Sequence, residues 1–285
     1  MSIKRRKCRK SGCLTVLVFI AIAAAALAYL INDSRENLQV TDYTVASEKL
    51  PAEFDGFKIV QLSDLHGAQF GEDNDELVAA VAELEPDIIA LTGDFVTSDA
   101  DLPVLRALIP RLTALCSVYF VSGNHEFGSG LASEVRNIMT DSGVKYLSNE
   151  FLSLSRGGAS IILGGVEDPL AYADMLSPDE LAREMDDTDP AAFKILLGHR
   201  NYWMTEYPEL PVDLIFSGHA HGGIIRIPGV GGLVGTDRRL FPDFEAGQFD
   251  NGRYSLIVSR GLGNSVPIPR LLNRPEIVCV TLAAD

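Results

Sequence analysis

All five histidines of the chain stand in short polar clusters with glycine, Asp or Asn beside them. The clusters are Asp64 with His66, Asp94 behind Gly93, Asn124 and His125 behind Gly123, His199 behind Gly198, and His219 with His221 behind Gly218. Carboxylate, imidazole and amide oxygen together suit manganese, iron, zinc or cobalt. Imidazole selects against pure calcium or magnesium sites, and the absence of clustered thiolates argues against structural zinc. A pair of ions needs about seven or eight protein ligands with one of them shared. The residues just named supply that number, and an Asp such as Asp94 has two oxygens with which to bridge. Taken singly, each cluster also fits a turn in which Gly supplies positive φ and Asn or His bonds to backbone. Scattered core or surface histidines, however, would not all fall inside such clusters.

What must bring the clusters together is a set of strand ends. Asp64 and His66 follow the apolar run Phe57–Leu62, Asp94 follows Ile88–Leu91, and Asn124 and His125 follow Ser117–Val121. His199 follows Phe193–Leu197, and His219 and His221 follow Leu214–Phe216. Open α/β sheets place their sites at such ends, and the glycines let backbone approach a ligand closely. Between the runs, Asp75–Leu84 and Leu102–Leu115 have helical periodicity, so the alternation predicts α/β layering with buried sheets and helices outside. Past Glu126 the pattern predicts helices near Leu131–Met139 and Pro178–Met185 and strands near Phe151–Leu154 and Ile161–Gly165. With Ile224–Ile227, Tyr254–Val258 and Ile277–Leu282 these imply a second sheet packed on the first. Leu38, Val40, Tyr43 and Val45 alternate as an edge strand, and Gly229–Asn251 is the longest irregular piece.

Length and composition, 285 residues at 47% hydrophobic, suit one catalytic domain with a short appendage. Of 24 Lys and Arg, six fall within the first 31 residues, which hold no acid, leaving 18 against all 39 Asp and Glu. So acidic a body repels polyanions, and no nucleic-acid partner is expected. Bound divalent cations would reverse the field locally and keep small phosphate esters open. The basic residues Lys4 to Lys10 precede an uncharged run from Cys13 to Ile31, which at about 1.5 Å per residue crosses a hydrocarbon layer. The expected organisation is a basic cytoplasmic N-terminus at 1–12, a transmembrane signal-anchor at 13–31, a linker and leading strand at 32–56, and the catalytic domain at 57–285. The flanking charges place that domain outside the cell membrane as a single-pass protein. Ala26, Leu27 and Ala28 offer signal-peptide cleavage, and Arg5 with Arg6 twin-arginine export, as alternatives. The apolar core exceeds the usual about 7–15 residues of a signal peptide, which favours retention. Cys8 and Cys13 lie at the N-terminus, and Cys116 and Cys279 fall in apolar runs as small core hydrophobes. No disulfide framework or CxxC zinc spacing is present in the sequence.

In order along the chain, DLH at Asp64–His66, GDF at Gly93–Phe95, GNHE at Gly123–Glu126, GHR at Gly198–Arg200 and GHAH at Gly218–His221 resemble the motifs of the calcineurin-like metallophosphoesterases. The resemblance spans roughly Phe57 to Gly223. Further on, Leu240–Pro242, Ser259–Ser265 and Asn273–Glu276 resemble the bacterial membrane-linked branch of that family, the YkuE- and YaeI-type phosphodiesterases. This implies a four-layer α/β/β/α sandwich, here with an N-terminal transmembrane helix, and two divalent metal ions, manganese favoured over iron, zinc or cobalt. It implies Asp64, His66, Asp94 and His221 as ligands of one ion and Asp94, Asn124, His199 and His219 as ligands of the other. His125 would sit over the site as the catalytic acid or phosphoryl stabiliser, with Asp64 orienting its ring and Asn124 as a further catalytic group. Ile224 stands where the branch often has Gln and Asn201 where it often has Pro, both positions that concern the substrate pocket.

The implied reaction is in-line attack on phosphorus by a hydroxide bridging two ions, in a phosphodiesterase acting on a small phosphoester, a lipid-linked phosphate or the pyrophosphate bond of a nucleotide sugar. The alternative is a membrane-tethered metal-binding interaction or sensory module without turnover. Arg200, Arg260 and Arg274 are each a phosphate grip or a surface ion pair. Tyr202, Trp203 and Tyr207 line a pocket or pack a helix face on the sheet.

Overall fold

A computed structural model of the chain describes residues 10–171, 176–236 and 238–285; the basic residues Lys4 to Arg9, and Cys8, lie outside the described residues. Helix α1 (Lys10–Glu36) comes first. Within Leu14–Glu36 an 18-residue stretch has a mean hydropathy of 2.7 and no buried residue, and Phe19, Ile20 and Tyr29 stand open. By length and composition such a helix could cross a membrane. The polar stretch from Asn32, expected as a linker, instead continues the helix to Glu36, because Ser34 and Asp33 find partners on the catalytic domain.

After β1 (Gln39–Ser47) come β2 (Lys58–Leu62), α2 (Asp75–Glu83), β3 (Ile88–Thr92), α3 (Leu102–Thr113), β4 (Ser117–Val121), α4 (Asn124–Gly128), α5 (Ala132–Asp141) and β5 (Lys145–Tyr146). The second half holds β6 (Glu150–Arg156), β7 (Ala159–Gly165), α6 (Pro178–Thr188), β8 (Lys194–Leu197), α7 (Trp203–Glu206) and β9 (Leu214–Ser217). The short β10 (Arg226–Ile227) and β11 (Gly231–Gly232) follow, then β12 (Gly247–Asp250), β13 (Ser255–Val258) and β14 (Glu276–Ala284).

Two six-stranded sheets result, ordered β1-β14-β2-β3-β4-β5 and β12-β13-β9-β8-β7-β6. Strands β2, β3 and β4 run parallel, as do β7, β8, β9 and β13, which brings their C-terminal ends to a common edge within each sheet. Their almost unbroken apolar sequences suit strands covered on both faces. Ile59, Ala90, Val121 and Val280 of the first sheet meet Leu163, Ile195 and Phe216 of the second in one core layer. Leu77, Leu105, Leu108 and Val135 seat α2, α3 and α5 on the first sheet, and Leu181, Met185 and Trp203 seat α6 and α7 on the second. The layers therefore run α/β/β/α, as expected. Each fully buried Leu, Ile or Phe contributes about 1.5–3 kcal/mol to holding them together.

Two pieces depart from the sequence pattern. Ile224–Ile227, expected as a strand, gives only the two residues of β10, and Ile224 sits in a turn at φ 47°. Strand β12 emerges inside Gly229–Asn251 and pairs only with β13. An edge strand with one neighbour needs little apolar content, which is why its sequence, Gly-Gln-Phe-Asp, conceals it.

Candidate metal centre

The polar clusters occupy the turns that leave β2, β3, β4, β8 and β9, and the backbone there is strained. Asp64, His66, Asp94, His219 and His221 have φ of 54°, 46°, 57°, 68° and 50°, a region that costs an L-residue on the order of 1–3 kcal/mol. Such conformations persist where neighbours over-determine them. The Asp64 N–H donates to the Gly93 carbonyl at 3.0 Å, His66 to Asp94 at 3.1 Å and Gly67 to Phe95 at 3.1 Å, lacing the first two turns together. Gly93 lies so close to the third turn that a Cβ would stand 2.5 Å from the Gly123 nitrogen.

Glu126, to which the motif alone assigns no role, is the buried clasp between turns. Its Oε2 accepts the N–H groups of Asp94 at 2.9 Å and Gly123 at 2.8 Å, and its Oε1 those of Phe95 at 2.7 Å and Val96 at 3.2 Å. Burial and the neighbouring Asp94 charge push its carboxyl up to about 7, against the pull of those N–H groups.

Three imidazoles are oriented through Nδ1. His66 Nδ1 meets Thr97 Oγ1 at 2.8 Å, His199 Nδ1 the Thr92 carbonyl at 2.8 Å, and His221 Nδ1 the Gly263 carbonyl at 3.3 Å. Each then turns Nε2 inward, the arrangement by which proteins aim metal-binding imidazoles. His66 Nε2 and His221 Nε2 are 3.2 Å apart, His221 Nε2 and Asp64 Oδ1 3.4 Å, and His199 Nε2 and Asp94 Oδ2 3.0 Å. Two donors on one ion at about 2.0–2.1 Å are themselves about 2.9–3.4 Å apart for right-angled to tetrahedral geometry. Buried His199 Nε2 has the Asp94 carboxylate as its neighbour at 3.0 Å, and Asn124 Oδ1 is buried and unpartnered. Imidazole nitrogens and carboxylate oxygens converging at such spacings, beside an amide oxygen with no hydrogen-bond partner, fit divalent cations.

The ligand atoms fall into overlapping groups, each within 4.8 Å: Asp64, His66 and His221; His66, Asp94 and His125; Asp94, His199 and His219. Asp94 belongs to two of them, with Oδ2 also 3.8 Å from His66 Nε2. His125 donates its backbone N–H to Asp94 Oδ1 at 2.8 Å and packs its partly exposed ring edge-on to His66, centroids 4.8 Å apart. Asp64, expected to orient the His125 ring, turns its carboxylate to the His219 N–H at 3.1 Å and to His221.

Burial holds His66 well below the usual imidazole range, helped by His221, and burial likewise lowers His221 and His219, the latter also through His199 and Arg200. Burial opposes charge on His199 too, yet the adjoining Asp94 carboxylate raises it to about 10. In return, His199 holds Asp94 below the carboxylate range against its own burial.

The arginines separate. Arg200 is forked onto buried Asp168 at 2.6 and 3.2 Å, with Nη1 3.1 Å from His219 Nε2. Arg260 pairs with Glu276 at 2.9 Å and Arg274 with Asp33 at 2.7 Å. Trp203, the first residue of α7, is buried against the second sheet, and with Tyr202, Tyr207, Arg200 and Asp168 it lines a cleft of about 180 Å³ beside His199. Cys279 is buried and Cys116 half-buried, and burial raises both thiols, Cys116 to about 11.

Residues 57–223 match the family model described as calcineurin-like phosphoesterase. The metallophosphoesterase YkuE of Bacillus subtilis (strain 168) is 30% identical over 93% of this chain and 94% of its own. A metallophosphoesterase of Aquifex aeolicus (strain VF5) is 32% identical over 93% and 98%. The phosphodiesterase YaeI of Escherichia coli (strain K12) is 26% identical over 79% and 82%.

Proposed function

Because this chain belongs to the calcineurin-like phosphoesterase family, we propose that it is a phosphodiesterase working with two divalent cations, manganese foremost, outside a membrane in which α1 anchors it. The observation that carries this reading is the place of Asp94, shared between a group with His66 and a group with His199 and His219. Asp64, His66, Asp94 and His221 would hold one ion, and Asp94, Asn124, His199 and His219 the other. Bound there, the cations supply Lewis acidity that lowers the pKa of water and neutralises phosphoryl charge. His125, partly exposed beside Asp94, donates a proton to the leaving oxygen as the P–O bond breaks. Arg200, fixed by its fork on Asp168, offers its remaining N–H donors to a phosphoryl oxygen. The acidic body weighs against nucleic acid, and an anchored site meets lipid-linked phosphates and nucleotide sugars. The domain is taken as 57–285, and its outward orientation rests on the basic residues that precede α1.

The test is release of nitrophenolate from bis(p-nitrophenyl) phosphate by the full chain with manganese, iron, zinc or cobalt. Turnover with at least one metal is expected. Metal bound by elemental analysis but no turnover with any of them would favour the tethered metal-binding module instead.

A further inference from the structure

The end of α1 is seated on the catalytic domain. Ser34 is fully buried, and its Oγ accepts the Asn273 N–H at 3.2 Å. Asp33 takes both arms of Arg274 at 2.7 and 2.8 Å, and the Gln39 N–H donates to the Pro275 carbonyl at 2.9 Å. Asn273 reaches the metal centre as well, because its Nδ2 donates to the His221 carbonyl at 2.8 Å. One residue thus joins the helix end to a candidate ligand.

Beside this seat opens a cleft of about 380 Å³ whose walls include Ile31 and Arg35 of α1, Leu262, Pro269 and Arg270 of the following loop, and His66 of the metal centre. Small-molecule sites have volumes of about 300–1,000 Å³. The same loop exposes Ile268 by 39% and Leu272 by 43%. Leu27, Ile31 and Ser34 are spaced i, i+4 and i+7, so they share one face of α1, and the apolar stripe of the helix leads into the cleft.

We propose that this cleft receives the apolar chain of a membrane amphiphile whose phosphoester lies at the metal centre, so that α1 is a wall of the substrate site as well as an anchor. The inference rests on the phosphoesterase reading and narrows its substrates to esters carried on a lipid. Continuity identifies the occupant: the cleft begins where the membrane helix ends, and its wall offers Ile31, Leu262 and Pro269, for which a soluble nucleotide sugar has no counterpart. Arg35, exposed at the helix end and paired there with Glu36 at 3.2 Å, stands at headgroup level.

Two p-nitrophenyl phosphodiesters that differ only in their alkyl group, methyl and hexadecyl, test the cleft with the full chain in one detergent and manganese. Ile31→Trp is expected to cut the hexadecyl-to-methyl ratio of kcat/KM by about tenfold or more. An unchanged ratio overturns the proposal. A second measurement needs no turnover: the unaltered chain in phosphatidylcholine and phosphatidylglycerol nanodiscs is photolysed with a phosphatidylcholine bearing a diazirine at its acyl terminus. Adducts are expected on Leu262–Arg270, and adducts confined to Leu14–Leu30 overturn the proposal. Hydrolysis of neither ester by the unaltered chain would sink the phosphoesterase reading, while the adduct map still judges the cleft by itself.

Discussion

Two parts of the chain build the metal centre, and they are held by opposite means. In the turns after β2, β3, β4, β8 and β9 the side chains face inward as candidate ligands, and main-chain bonds such as Asp64 to Gly93 fix the backbone. In the strap Ser259–Glu276 the side chains hold other residues' main chain. Asn273 Nδ2 donates to the carbonyls of His221 and Ile224 at 2.8 and 3.1 Å, and Arg270 to those of Gly263, Asn273, Arg260 and Arg274. Burial lowers Arg270 to about 9, still far enough above neutrality for it to remain the charged donor. One part supplies the chemistry, and the other keeps its strained backbone, with Ile224 at φ 47°, from relaxing.

The largest effect should come from the turns. Asp94→Ala removes a carboxylate shared by two groups, so cation binding and turnover should vanish together. Manganese should then no longer raise the Tm, although it should stabilise the unaltered chain by about 4 kcal/mol at a thousandfold excess over Kd. His125→Ala should keep its metal, by elemental analysis, while kcat falls by about 10²–10⁴. Equal metal loss in both variants would erase the distinction between a ligand and a proton donor.

A strap variant should act more gently and in a different observable. Asn273→Ala takes the side-chain donor from two buried carbonyls, leaving each with one backbone N–H, and frees the His221 turn, so cation affinity should drop by about 10–100-fold, as losses behind a ligand do. Calorimetric titration reads that drop, and added manganese should restore kcat. Asn273→Asp should not rescue, since a carboxylate has no N–H to offer. If Asn273→Ala lost its cations as completely as Asp94→Ala, the strap would have to be counted among the ligands.

The same division explains what the sequence discloses. Strand β4 spans the expected Ser117–Val121, and the Asp and His clusters come together in space, because buried parallel strands are apolar throughout and candidate metal ligands announce their chemistry by type. Glu126, Asp168 and Asn273 escape such a reading. Apart from the Gly123 N–H three residues before Glu126, the partners that give them their roles are backbone groups or an arginine about thirty residues or more away, and little that is local separates a carboxylate that clasps N–H groups from one that faces water. The helical continuation through Asn32–Glu36 is hidden for the same reason, since a polar stretch is decided by Asn273 and Arg274, far along the chain.

The smallest effect belongs to the exposed side of that junction. The Asp33–Arg274 pair is forked, but the Arg274 side chain is 47% exposed, and water screens it to about 1 kcal/mol or less. Ser34, by contrast, is buried against Asn273. Arg274→Ala should therefore shift Tm only slightly, leave cation affinity and methyl-ester hydrolysis near those of the unaltered chain, and become harder to distinguish from it as salt rises. A fall in cation affinity matching that of Asn273→Ala would mean that the ion pair, rather than the buried serine and asparagine, transmits the seat of α1 to His221.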